Sequence, residues 1–79
     1  MKNTQVINLV GWCGVLTILV AYAAINFGWL SVHSLAYTSL NIIGSVAILI
    51  ETFAKRDFQP AVLNSIWAII ALIALVRLI

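Results

Sequence analysis

Three runs of about 20 mostly apolar residues, roughly Val6–Ile25, Leu35–Phe53 and Ala61–Ile79, take up almost all of this 79-residue chain. An α-helix needs about 20 such residues to cross ~30 Å of hydrocarbon, so each run has the length of one span. The intervals between them, 26–34 and 54–60, are short and more polar, and leave no room for a separate soluble domain. The expected fold class is therefore all-α integral membrane. Three transmembrane helices form a small bundle, and residues 1–79 form a single domain. Strands are excluded, because three short spans cannot close a barrel and lipid does not tolerate an open sheet edge.

Composition supports a bilayer as the solvent. Hydrophobic residues are 65% of the chain and charged residues 8%, so in water it would expose more apolar surface than it could cover. The net charge of +2 comes from basic residues spread along the chain, not clustered on a polar face, so no nucleic-acid partner is expected. Cys13 is alone, which rules out an intramolecular disulfide, and reads as a small apolar side chain within the membrane. Met1-Lys2, a long apolar stretch and Ala21-Tyr22-Ala23 resemble a secretory signal. That stretch is longer than a usual signal core, so the first span is expected to be retained.

Local signals mark the helix ends. Ser34 or Ser31 can cap the second helix, and Asp57 or Gln59 the third, with Pro60 acceptable in its first turn. Gly28 follows the first helix, where a left-handed residue often ends one. Lys2, Lys55 and Arg56 fall on one side of the membrane, against Arg77 and His33 on the other. Positive charge favours the cytoplasm, so the N-terminus and second loop are expected inside and the C-terminus outside.

Lipid does not drive helices together by the hydrophobic effect, so small residues and buried hydrogen bonds must do it. The first span carries such a stripe at Gly11, Gly14, Thr17, Ala21 and Ala24. The third carries one at Asn64, Trp67 or Ala68, Ala71 and Ala74. The second presents Tyr37, Asn41, Gly44, Ile48 and Glu51, flanked by Thr38 and Ser45. Gly11, Gly14, Gly44 and Ala71 are the expected packing positions.

A Leu-Asn pair occurs twice, at Leu40-Asn41 and Leu63-Asn64, and both amides fall on packing faces. Two readings stand. The amides clasp neighbouring helices, or Asn41, Asn64 and Trp67 line a polar cavity that binds a solute. Glu51, the acid inside a span, is followed at i+4 by Lys55, which reads as a helix-end ion pair. A proton-coupling acid is the alternative. His33 has no second ligand nearby and Arg77 is expected to snorkel to the interface. There is no nucleophile–base pair, phosphate loop or ligand spacing, so no enzyme, cofactor or metal is expected.

The series Gly11-Trp12, Gly14, Ala21-Tyr22, Leu40-Asn41, Gly44-Ser45, Pro60, Leu63-Asn64 and Trp67 resembles an uncharacterised, permease-like family of bacterial three-span membrane proteins. More distantly, the second half looks like the PQ-loop group, which includes the SemiSWEET sugar transporters. Gly44 and Asn64 have that group's spacing of about 20 residues between a helix-two Gly and a substrate-facing Asn. The Pro-Gln pair expected late in the first helix is replaced by Tyr22-Ala23-Ala24-Ile25. The resemblance implies a bundle that forms a homodimer in the bacterial inner membrane and passes a small neutral or lipid-like solute between protomers. An accessory subunit packed against a larger membrane complex is the other expectation, with membrane lipid as a neighbour in either case.

Overall fold

A computed structural model describes residues 3–79. The chain is all-helical, with α1 at Asn3–Asn26, α2 at Leu35–Ala54 and α3 at Phe58–Leu78. Each helix is long and apolar enough to cross a membrane. The molecule measures 37 × 22 × 19 Å, so its long axis is the length of one helix.

The helix ends explain where the boundaries moved. α1 runs to Asn26, whose side-chain Nδ2 donates to the Tyr22 carbonyl at 2.9 Å. Beyond it, Trp29 N donates to Ala24 O and Gly28 N to Ile25 O, while Gly28 holds φ at +77°. This is the Schellman closure, with glycine at the left-handed position. α2 closes in the same way. Asp57 N donates to Thr52 O and Arg56 N to Phe53 O, but the left-handed residue is Arg56, at φ +57°.

Ser34 caps α2 as expected, its hydroxyl accepting from Tyr37 N at 3.1 Å. Asp57 takes the N-cap position of α3 without a side-chain cap bond. Its carbonyl accepts from Ala61 N, and α3 begins at Phe58, three residues before the apolar run. Pro60 lies in that first turn, where a missing N–H costs nothing.

α2 is the central element. It packs against α1 and against α3, while no Cα of α1 comes within 8 Å of one in α3. Side chains buried in the helices are all small: Gly11, Gly14, Ala21 and Ala24 on α1, Thr38, Gly44, Ser45 and Thr52 on α2, Ala61, Asn64, Ala68 and Ala71 on α3. Leu, Ile, Val and Trp point outward, with Leu9, Leu16, Ile43, Ile69 and Ile73 each more than half exposed.

The α1–α2 contact is a close approach of backbones. A Cβ placed on Gly14 would lie 2.9 Å from Gly44 O and from Ala47 Cβ, and one on Gly44 would lie 3.1 Å from Gly14 O. Gly11 faces Glu51 and Ile18 faces Gly44, so the pair runs antiparallel. Thr38, Ser45 and Thr52 are spaced every seven residues, about 100° round α2 from Gly44 and Glu51. The sequence pattern had Thr38 and Ser45 only as flanks of one face and did not single out Thr52. With a neighbour on each side, α2 needs two faces, and this row meets the small stripe of α3.

The third stripe offered Ala68 or Trp67 at one position, and Trp67 is not the buried one. It is 40% exposed, and Ala68 takes the buried place beside it. A large ring cannot enter a contact whose closeness depends on alanine-sized side chains, so Trp67 stands at the rim.

Candidate functional site

Between α2 and α3, at the end of the bundle that holds the 27–34 loop, a cleft of about 360 Å³ opens. Tyr37, Thr38 and Asn41 line it from α2, and Trp67 and Ala71 from α3. It continues into a wider cavity of about 560 Å³ with walls of Ile70, Ile73 and Leu78 and with Arg77 at its side. Val32 and His33 belong to both parts.

The loop positions these groups through its own polar bonds. Ser34 Oγ donates to Ser31 O at 2.7 Å and His33 N donates to Ser31 Oγ at 3.2 Å. This ties His33 to the start of α2, so Thr38 and Asn41 follow within two turns on the cleft side. Thr38 Oγ1 donates to Ser34 O at 3.0 Å, which commits its proton to the helix and leaves the oxygen only accepting capacity.

Asn41 and Trp67 therefore share one cleft, while Asn64 lies elsewhere. Asn64 is buried, and its Nδ2 donates to Pro60 O of its own helix at 2.9 Å. Ala71 serves both as a buried packing residue and as part of the cleft wall. Tyr37, Thr38, His33 and Arg77 were not singled out for this site. Their signal in the sequence was position: all lie at the end of the bundle that holds the first loop and the end of α3.

The charges are separated along the bundle. Arg77 and His33 flank the cleft, whereas Glu51 and Asp57 lie near the opposite end. Arg77 and Asp57 are 20 residues apart on one helix, about 30 Å. Among the described residues the salt bridge is Lys55 Nζ to Glu51 Oε2, at 3.2 Å. The Glu51 carboxyl also lies over the backbone of Gly11, in the space a Cβ there would fill. With its side chain 20% exposed, it is more enclosed than a solvated helix-end acid, and it lines a second recess with Trp12 and Val15. No three His, Cys, Asp or Glu side chains converge among the described residues.

A model of an uncharacterised, bacterial-named family matches residues 7–79 of the chain. No curated protein and no solved structure matches it.

Proposed function

The chain belongs to this uncharacterised family, and we propose that it is a multi-pass membrane protein whose α2–α3 cleft binds or passes a small neutral or lipid-like solute. The observation carrying this reading is the cleft itself, with the Asn41 amide and Tyr37 beside the Trp67 and Ile70 side chains. Binding sites for small molecules combine apolar walls with a few convergent polar groups, and this one does so.

A bilayer as solvent is supported by the reversed packing, small residues inside and Leu, Ile and Val outside. The bacterial cytoplasmic membrane is the proposed location, with the N-terminus in the cytoplasm and the C-terminus outside. Lys55 and Arg56 in the second loop support this orientation; Lys2, counted with them, lies outside the described residues. The open side between α1 and α3 supports association with a second copy, which would complete a PQ-loop-like path between protomers. The same open side favours the second reading, an accessory subunit whose groove receives a helix of a larger complex.

Solute-dependent thermal stability of the purified protein tests the first reading. A neutral or single-chain amphiphilic solute should raise the midpoint of the wild type and lose that effect in Asn41→Leu with Trp67→Ala. A wild type indifferent to every solute class would defeat it. Gentle extraction separates the assemblies: a particle near twice the 8.6 kDa chain supports the homodimer, and co-purification with a large complex the accessory subunit.

A further inference from the structure

We infer that the wide end of this cleft holds the acidic head of an anionic lipid against Arg77, with the acyl chain along the α3 wall. The inference rests on the solute-binding reading above and names the ligand class for it.

Three observations converge. The first is an uncompensated cation. Arg77 forms no salt bridge among the described residues, since Glu51 is engaged by Lys55 and Asp57 lies about 30 Å away along α3. The second is the company this cation keeps. Its cavity of about 560 Å³ is walled by Ile70, Ile73, Val32 and Leu78, and the other polar members are His33 and Thr38, neither of them acidic. The third is position. Arg77 is in the last turn of the third span, so the cavity opens at the level of lipid headgroups and not at the hydrocarbon midplane.

A guanidinium presents a planar fork of donors that matches a phosphate or carboxylate oxygen pair. The helix C-terminus accounts for a cation in that last turn, but it does not account for an apolar cavity beside it. An acidic head joined to a hydrocarbon chain satisfies both parts at once. The head pairs with Arg77, and the chain covers Ile70 and Ile73 down to the level of Trp67. A free phosphate would satisfy the charge and leave the walls uncovered.

The experiment uses Trp67 as the reporter, in chains carrying Trp12→Phe and Trp29→Phe, reconstituted into zwitterionic vesicles. Brominated-chain anionic lipid or brominated-chain zwitterionic lipid is added at equal mole fraction, and quenching is followed. A chain retaining Trp12 alone, on α1 and outside the cleft, reports the surrounding lipid. The anionic lipid should quench Trp67 with an apparent affinity about fivefold higher than the zwitterionic one, the preference one basic side chain supplies at an interface. Arg77→Gln should abolish the preference and Arg77→Lys restore most of it. Excess inorganic phosphate, against chloride at equal ionic strength, should leave it unchanged.

Equal quenching of Trp67 by both lipids, above that of Trp12, would overturn the charge assignment and leave a lipid-binding cleft. Quenching of Trp67 no greater than that of Trp12 would remove the lipid altogether, and the lipid form of the proposed function with it. Preference retained in Arg77→Gln overturns the role of Arg77, and displacement by phosphate points to a free anion instead. The comparison of the two lipids on the Trp67 reporter chain does not depend on either Arg77 variant folding.

Discussion

At the scale of single residues, two helix ends solve one geometric problem with different side chains. Gly28 reaches φ +77° without strain, while Arg56 reaches φ +57° against its own Cβ. Gly28→Ala should therefore lower stability by about 1 kcal/mol, although none of the described residues lies within 4 Å of the added methyl. Arg56→Gly should raise it by about 0.5–1 kcal/mol. Reversible unfolding in mixed micelles reads both, and a loss in Arg56→Gly would refute the strain argument. Gly11 poses a different problem, because the space beside it is filled by the Glu51 carboxyl. Gly11→Ala should displace that carboxyl, so its cost should fall when Glu51 is already alanine. A double-mutant cycle with no coupling between the two positions would show that the carboxyl moves aside freely.

At the scale of elements, the hydroxyl row of α2 is not uniform. Thr38 and Thr52 donate to the carbonyls of Ser34 and Ile48, whereas Ser45 Oγ is fully buried with no partner among the described residues. An unpaired buried hydroxyl costs free energy, so Ser45→Ala should be neutral or stabilising by up to about 1 kcal/mol. Ser34→Ala removes a cap and should cost about 1 kcal/mol. If Ser45→Ala proved the more damaging, a bond to that hydroxyl would have to form in the bilayer. The elements themselves were legible from the apolar runs, and Ser34 and Gly28 from residue type, because caps depend on local chemistry. The two faces of α2 were not, since a stripe shows which side is small but not how many neighbours share it. Of the three residues grouped from the sequence, Asn41 and Trp67 line one cleft, while Asn64 bonds its own helix. A side chain's choice between its own backbone and a neighbour depends on rotamer and depth, which spacing does not encode. Likewise Asp57 stands where a capping acid belongs, yet the turn is set by the left-handed Arg56 before it.

At the scale of the whole molecule, orientation follows from few charges and is correspondingly easy to shift. Neutralising Lys55 and Arg56 leaves basic charge balanced at Lys2 and Arg77, so the chain should insert in both directions. A C-terminal reporter active only outside the cytoplasm should be active on the wild type and fall by about half in that variant. A silent reporter on the wild type would invert the proposed topology. The central position of α2 has a further consequence, for the order of assembly. Since α1 and α3 do not approach each other, the bundle is two hairpins with one member in common. Substitutions on the outer members, such as Gly14→Ala and Ala71→Leu, should add within about 0.5 kcal/mol. During synthesis the first hairpin can close while the third span is still inside the ribosome. The third span then has a single neighbour to find, already held three residues away by the 55–57 turn. Biogenesis would proceed by two separate zippering events, each complete without the other.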